Sequence, residues 1–211
     1  MCCRYFMEES PELRPYIEAA NRAPLTATMV SKLARPLTTA GEVRPTDITV
    51  ALAPGKDGQA KVFPMVWGFS NPRAGSPIVN CRVETASEKP MWKDAWQSHR
   101  CIIPASYYYE WEHLVNQATG KKKTGDKYMI QPKGSSVTYL AGLYRIEDMK
   151  GIKVPVFTVL TREPSDEIRF IHDRMPVMLA KELIQDWISP SNKPEEIVRN
   201  ALTAMVFEKA S

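Results

Sequence analysis

Residues 47–67 read DITVALAPGKDGQAKVFPMVW, and this stretch decides the class of fold. Its first seven residues alternate and are rich in β-branched side chains, which is typical of a strand. The next seven, PGKDGQA, hold one proline and two glycines and form a turn cluster. The last seven, KVFPMVW, predict a second strand. The stretch is therefore predicted to run strand, turn, strand.

Similar extended patterns recur outward from this stretch, while helical patterns lie near the ends and in one insertion. Extended runs are predicted at residues 76–85, 100–104, 106–113, 127–132, 137–144, 154–161 and 174–179. Helical patterns open at Ser10-Pro11 and cover residues 88–96, 164–173, 181–188 and 194–206. Residues 116–126 predict a polar loop. The order favours an α+β fold with a mainly antiparallel sheet curled toward a barrel, with peripheral helices, in a single domain over 1–211.

The composition is that of an ordinary globular chain with a small basic excess. Of 211 residues, 44% are hydrophobic and 25% charged, and 28 basic against 24 acidic side chains give a net charge of +4. Such a charge is compatible with a nucleic-acid partner without requiring one. Neither a signal peptide nor an apolar run of membrane-spanning length is recognisable, which predicts a cytosolic protein with reduced thiols and no membrane partner.

The first residues, MCCRYF, raise a chemical question. Removal of Met1 would make Cys2 the N-terminal residue, with an α-amine beside its thiol. Such a 1,2-aminothiol condenses with an aldehyde to a Schiff base, and the thiol then closes onto the imine carbon to give a thiazolidine. Cys3 cannot do this because its nitrogen is an amide. The adjacent cysteines lack CxxC spacing, so no metal site is predicted. An unremarkable N-terminus is the alternative explanation.

Three further clusters carry groups suited to acid–base or anion chemistry. Asn80 and Arg82 lie in NCRVET, where an arginine can pair with a phosphate. Glu110 lies in YYYEW, where large aromatic neighbours can desolvate a carboxyl and raise its pKa. His172 lies in IHDRMP beside an acid and an arginine, as acid–base histidines often do. A solvated strand end, an exposed glutamate and a helix-terminal histidine are the corresponding structural explanations.

Taken in order, these motifs resemble those of the SOS-response-associated peptidase (SRAP) family, proteins that crosslink to abasic sites in single-stranded DNA. The family pattern begins Met-Cys-Gly-Arg-Phe/Tyr, and here the chain begins MCCRY. The P…WG, NARxET, RCxxPxxxfyEW and IHdRMPviL segments correspond to Pro64–Gly68, NCRVET, RCIIPASYYYEW and IHDRMPVML. Cys3 departs from the family glycine and places a second thiol beside the nucleophile.

The resemblance implies roles for individual residues. The implied catalytic residues are Cys2 as nucleophile, Asn80 as an orienting group, and Glu110 and His172 as proton carriers. The implied DNA contacts are Arg4, Arg82, Arg174 and Trp67, although a tryptophan in a strand is more commonly a core residue. The implied partner is single-stranded DNA that contains abasic sites. The resemblance implies neither a metal nor an organic cofactor, and it implies a cytoplasmic, nucleoid-associated monomer.

Two other functions fit the same residues. A cysteine peptidase could use Cys2 as an N-terminal nucleophile with His172 and Asn80, and removal of Met1 would be its minimal activity. A noncatalytic single-strand binder would not need Cys2 at all. The crosslinking activity is preferred because the residues identify an aldehyde trap and identify no scissile carbonyl. Reversal of the adduct would make such a protein lyase-like.

Overall fold

Strands form most of the structure, a computed structural model that describes residues 3–72, 74–115, 120 and 122–210. In chain order the strands are β1 (Arg4–Met7), β2 (Leu37–Thr38), β3 (Gly41–Val43), β4 (Ile48–Pro54), β5 (Ala60–Trp67), β6 (Asn80–Arg82), β7 (Arg100–Ala105), β8 (Tyr107–Val115), β9 (Lys122–Pro132), β10 (Thr138–Met149), β11 (Ile152–Arg162), β12 (Met175–Pro176), β13 (Met178–Leu179) and β14 (Met205–Lys209). The α-helices are α1 (Arg14–Arg22), α2 (Pro24–Leu33), α3 (Pro90–Ser98), α4 (Ile184–Ile188) and α5 (Pro194–Val198).

Five strands close into a barrel. The order of hydrogen-bonded neighbours is β11-β5-β4-β7-β10, and β10 pairs again with β11 to complete the ring. The strands predicted on either side of the PGKDGQA turn are β4 and β5, which pair antiparallel from Ile48↔Val66 to Pro54↔Ala60. The predicted α+β class and the barrel are confirmed, and so is the mainly antiparallel pairing. Parallel exceptions join β11 to β5 and β6, and β2 to β4.

A second sheet is open and has the order β14-β9-β8-β1-β3. Its second strand in sequence, β3, pairs with β1, and β1 also pairs with β8 through Arg4↔Tyr109. The short strand β1 therefore lies inside the sheet rather than at its edge. This position brings the start of the chain beside the YYYEW segment.

Alternate side chains of β7 belong to two hydrophobic cores, as a strand covered on both faces requires. Ile102 belongs to a core that also includes Trp96 and Trp187 of helices α3 and α4. Cys101 and Ile103 belong to a second core, which includes Tyr5 and Trp67. Both cysteines outside the N-terminus, Cys81 and Cys101, are buried, and burial raises the pKa of the Cys81 thiol to about 12. They serve as small apolar core residues.

Several predicted boundaries are wrong for identifiable reasons. Helix α1 begins at Arg14 rather than beside Ser10, because Ser10 Oγ accepts from Leu13 N at 3.2 Å and closes a preceding turn. Helix α2 was not predicted at all. The helix predicted to reach residue 206 ends at Val198, since residues from Met205 onward pair with the edge of β9. Residues 164–173 contain only a 3-10 turn, and residues 122–126 continue β9 instead of forming a loop.

Within the part of the chain that the structure describes, no helix is both long enough and apolar enough to cross a membrane.

Arg100 is a fully buried cation at the start of β7. All five of its N–H groups donate to backbone carbonyls. The acceptors are Trp96 O (2.7 Å), Gln97 O (2.6 Å), Trp187 O (2.5 Å), Asn192 O (3.1 Å) and Ser189 O. One side chain thus joins the end of α3 to the segment that follows α4. The carbonyl dipoles replace the water that the guanidinium loses on burial.

We expect Arg100→Met to lower the free energy of unfolding by about 3 kcal/mol, because it leaves several buried carbonyls unpaired. Urea unfolding followed by circular dichroism measures the change. The control is Lys153→Met, which removes a cation from an exposed pair with Asp148 and should change stability by less than about 0.5 kcal/mol. Equal effects of the two substitutions would contradict a structural role for Arg100.

Candidate functional site

The candidate site lies where β1, β8 and the segment before β12 meet. Glu110 occupies the middle of β8 and is 3% exposed. Because Arg4 pairs with Tyr109, the chain immediately before Arg4 runs beside Glu110. The charge of Glu110 accordingly contributes to the raised pKa of the half-buried Cys3 thiol, after burial itself. Cys2, the predicted nucleophile, lies outside the described residues, and its role stays a prediction.

Glu110 is held in an environment that favours its neutral form. Burial is the main cause of the raised pKa of this carboxyl, and the nearby charge of Asp173 raises the pKa further. Its Oε1 atom accepts from the backbone N–H of Trp111 at 3.3 Å, which opposes this rise in pKa without cancelling it. A carboxyl of raised pKa retains a proton closer to neutral pH than an exposed glutamate does, which suits it to general acid–base catalysis.

His172 is 5% exposed and belongs to the segment that follows a 3-10 turn. Its Nδ1 atom accepts from the backbone N–H of Arg174 at 2.9 Å, and Asp173 Oδ1 lies 2.9 Å from the same atom. A ring nitrogen cannot accept from an amide and donate to a carboxylate at once. Because the Arg174 amide donates to Nδ1, we assign the ring with its proton on Nε2.

His113 is the site residue that the sequence analysis missed. Its ring centroid lies 4.0 Å from that of His172, and its backbone N–H donates to Ile171 O at 2.9 Å. The register of β8 and β9 is irregular between Trp111 and His113, so simple strand alternation could not have placed this side chain. The only available signal was that the chain has three histidines, one of them two residues after the EW pair.

The residues His113, His172 and Asp173 offer ligand atoms that lie within 4.8 Å of one another. Two imidazoles and a carboxylate are chemically suitable ligands for a divalent transition metal. The Nδ1 lone pair of His172, however, is already used by the Arg174 amide. These observations do not test whether the protein requires a metal, so the prediction that it requires none stays a prediction.

Three further predicted site residues lie on two segments: Asn80 and Arg82 in β6, and Arg174 directly before β12. Asn80 opens β6, half-buried, where it pairs with Val159 of the barrel, and the exposed Arg82 ends the same strand. Arg174 forms a bidentate pair with Glu84, at 2.8 Å for both contacts, and also donates to Thr161 O at 2.7 Å. The Arg174 side chain is 10% exposed, so it anchors this segment to the barrel.

Trp67 is fully buried, which is at odds with the prediction that it contacts DNA. Its Nε1 donates to Val79 O at 3.0 Å, and its ring stacks on Phe157 with centroids 6.1 Å apart. Tyr5 packs against the ring at 5.2 Å. No ring face is left for a nucleotide, so Trp67 supports the site from the core.

Arg4 is part of a charged cluster on the outer face of the open sheet. Glu42 accepts hydrogen bonds from Arg4, from Arg44 at 2.8 Å and from Lys127 at 3.3 Å. Arg4 also lies over the Trp111 ring at 5.7 Å, and Lys127 over the Tyr109 ring at 3.5 Å. Three cations share one carboxylate, so the cluster carries a net positive charge next to the candidate site.

The model of the SRAP family, described as SOS response associated peptidase, matches residues 1–210. The chain belongs to the SRAP family. This SRAP chain is 35% identical over 142 residues to abasic site processing protein YoaM of Bacillus subtilis, covering 64% of the chain and 60% of that relative. It is 28% identical over 143 residues to abasic site processing protein YedK of Escherichia coli, covering 66% of the chain and 60% of that relative. The matched region thus spans about three fifths of the length of these curated relatives.

Solved structures show the same fold as the SRAP chain. A protein from Bacteroides thetaiotaomicron aligns with a TM-score of 0.74 at 20% identity, covering 100% of the chain and 92% of that structure. A phage-related protein from Bordetella bronchiseptica aligns with a TM-score of 0.69 at 22% identity, covering 99% and 94%. At these identities the comparison concerns the fold alone.

The cluster of Glu42 with Arg4, Arg44 and Lys127 predicts how the stability of the SRAP chain depends on pH. Burial alone would raise the pKa of Glu42, but hydrogen bonds from Arg4, Arg44 and Lys127 outweigh it and lower the pKa to about 2. Because the folded pKa lies below the unfolded value, the ionised group stabilises the fold above about pH 4.5. That contribution disappears as the pH falls from about 4.5 to about 2.

We therefore expect Glu42→Gln to flatten the stability profile between pH 4.5 and 2 relative to the wild type. Urea unfolding at a series of pH values measures both profiles. Glu196→Gln, which alters an exposed carboxylate near Lys193, is the control for the loss of one carboxyl group. Parallel profiles of the wild type and Glu42→Gln would show that the three cations do not stabilise the carboxylate.

Proposed function

We propose that this SRAP chain captures abasic sites in single-stranded DNA through a covalent bond between Cys2 and the ring-opened sugar. The observation that carries the proposal is the buried Glu110, whose pKa is raised and which lies beside Cys3, next to the start of β1. The names of the curated relatives, abasic site processing proteins, support the same substrate class. The 1,2-aminothiol of a processed N-terminus is matched to an aldehyde.

The first chemical step opens the sugar of the abasic residue. The C1′–O4′ bond breaks, O4′ gains a proton and the C1′ hydroxyl loses one, which leaves an aldehyde at C1′. One carboxyl can serve both transfers, because the acid form of Glu110 donates from one oxygen while its other oxygen accepts. Glu110 thus ends the step as it began, and its raised pKa increases the share of the required acid form relative to an exposed glutamate.

The second step forms the crosslink. The Cys2 amine attacks C1′, and loss of one water gives an imine. Sγ of Cys2 then bonds to the imine carbon while the thiol proton moves to the nitrogen, which closes the thiazolidine. The neutral His172 ring, with its proton on Nε2, can donate a hydrogen bond to a sugar oxygen. Asn80 orients the amine or the open sugar in this proposal.

Phosphate binding is assigned to arginines that have access to solvent. Arg4 is 35% exposed in its side chain, and Arg82 is exposed at the end of β6. Arginine holds phosphates through planar, bidentate hydrogen bonds. The Arg174 guanidinium is paired with Glu84. A phosphate that binds Arg174 would therefore lie beside Glu84 or replace it. Single strands suit such a site because their bases are already unpaired.

Intact mass spectrometry of the protein, before and after incubation with an abasic single-stranded oligonucleotide, tests the proposal. The free protein is expected to lack Met1. The incubated sample is expected to contain a heat-stable species at the mass of protein plus oligonucleotide minus one water. A processed protein that forms no adduct but turns over peptides would favour the peptidase alternative. Exchange of the adduct onto competing abasic DNA would establish lyase-like reversal.

A further inference from the structure

Three aromatic rings form an exposed surface beside the candidate site, which we call the aromatic ledge: Tyr128, Phe170 and Phe207. Their centroids lie 5.7 Å (Tyr128–Phe170), 5.9 Å (Tyr128–Phe207) and 5.3 Å (Phe170–Phe207) apart, all with edge-to-face geometry. Phe170 is 49% and Phe207 39% exposed. Clusters of exposed large apolar side chains are uncommon on soluble proteins and often mark a binding surface.

Two connections link the aromatic ledge to the candidate site: the pairing of β8 with β9, and the short segment from Phe170 to His172. Tyr128 is the cross-strand partner of Glu110, so their side chains leave the same face of the open sheet. Phe170 precedes His172 by two residues, which limits the separation of their Cα atoms to about 7 Å. Stacked nucleotides advance about 3.4 Å each along a strand. A nucleotide next to one held at Glu110 and His172 is therefore within reach of the ledge.

The charges around the ledge favour a flat, neutral ligand. Arg169 pairs with Asp166 at 3.0 Å, and Lys209 pairs with Asp126 at 2.7 Å, so these two cations beside the ledge are each balanced by a carboxylate. A phosphate would have to compete with these acids. An aromatic face binds a nucleobase by stacking, whatever the base, because every base presents a π-face.

We propose that the aromatic ledge, through Phe170, stacks on the unpaired base that flanks the abasic residue. The inference rests on the proposed function, since it assigns a subsite to the same DNA strand. Such a subsite would be useful because an abasic residue has no base of its own that the protein could bind. A stacked neighbour fixes the strand and so holds the sugar beside Glu110 and His172. Removal of the ring should weaken binding about tenfold.

A double-mutant cycle between protein and DNA tests the proposal. The probes are labelled single-stranded oligonucleotides with a central tetrahydrofuran residue, which cannot open and so reports binding alone. One set keeps both flanking bases, and the others replace the 3′ or the 5′ flanking base with a second tetrahydrofuran. Fluorescence anisotropy gives Kd for the wild type, Phe170→Ala, and Phe170→Tyr, which keeps a ring. Ile146→Ala controls for the loss of an exposed apolar side chain elsewhere.

The expected result is that Phe170→Ala raises Kd about tenfold for DNA with both flanking bases and by less than twofold once the stacked base is removed. Phe170→Tyr and Ile146→Ala should bind like the wild type. Phe207→Ala provides a second exposed variant, with an expected effect in the same direction. Equal effects of Phe170→Ala on all oligonucleotides, or no effect on any, would overturn the proposal.

Failure of this inference can be told apart from failure of the proposed function. If the wild type forms the adduct with a reactive abasic oligonucleotide while the cycle shows no coupling, only the ledge assignment is wrong. If the wild type forms no adduct and does not bind, the proposed function itself fails. A concentration-dependent dimer of the wild type that Phe170→Ala abolishes would overturn the ledge assignment, because a second copy would then cover the rings.

Discussion

Cys2→Ala is expected to abolish the heat-stable adduct with abasic single-stranded DNA, which is the largest effect we predict. The substitution keeps a small second residue, so removal of Met1 should proceed as in the wild type. It leaves the α-amine, which can still form a reversible imine, but it removes the thiol that closes the thiazolidine. Intact mass spectrometry after heating detects the loss directly.

Cys3→Ala is the matched control for this experiment. Cys3 carries the same thiol one residue later, but its nitrogen is a peptide amide and cannot condense with an aldehyde. Burial raises the pKa of the Cys3 thiol, so little of it is thiolate at neutral pH. The adduct should therefore survive in Cys3→Ala. Loss of the adduct in Cys3→Ala and its retention in Cys2→Ala would exclude the proposed chemistry.

Glu110→Gln is expected to slow adduct formation about 100-fold while making the protein more stable at pH 7. The amide cannot donate and accept the protons of ring opening, which accounts for the slower reaction. The stability gain follows from the raised pKa of Glu110, because ionisation of a buried carboxyl opposes folding. A merely structural glutamate would lose stability on the same substitution.

The sign of the pH dependence provides a further check on Glu110. Its folded pKa lies above the unfolded value of about 4.5, so the folded state binds more protons in the window between the two. The cost of ionisation is absent below about pH 4.5 and fully present above the folded pKa. The difference in melting temperature between Glu110→Gln and the wild type should thus shrink as the pH falls toward 4.

Glu112→Gln is the matched control for Glu110→Gln. Glu112 lies two residues further along β8 and undergoes the same change of charge. Neither its rate of adduct formation nor its melting temperature should change appreciably. Similar rates of adduct formation for the wild type, Glu110→Gln and Glu112→Gln would exclude Glu110 from the proposed mechanism.

Local patterns in the sequence predicted the strands of the barrel well, because β4 and β5 combine β-branched residues with a glycine-containing turn between them. They predicted the helices less well. Residues 205–206 have the composition of a helix end, yet β9 offers an unpaired edge that recruits them as β14. Tertiary pairing of this kind outweighs helix propensity and is invisible in a short window.

The site shows the same division between local and distant information. The desolvated carboxyl of Glu110 was predicted from its aromatic neighbours, but alternation along β8 places Tyr109 and Trp111 on the opposite face, so its burial comes from tertiary packing. The approach of His113 to His172 depends on a register irregularity between β8 and β9, and the pairing of Arg174 with Glu84 joins residues 90 positions apart. Trp67 was assigned to DNA from the resemblance, whereas packing against Tyr5 and Phe157 places it in the core.

The interior position of β1 in the open sheet has a consequence for synthesis. Met7 precedes Tyr107, the first residue of β8, by 100 residues, so β1 leaves the ribosome long before this partner exists. At about 5–20 residues per second the wait is roughly 5–20 s. During that interval β3 is already available to pair with one edge of β1, but the edge that β8 will occupy is still open. Removal of Met1, which the proposed crosslink requires, therefore has time to take place before β1 is enclosed between β3 and β8.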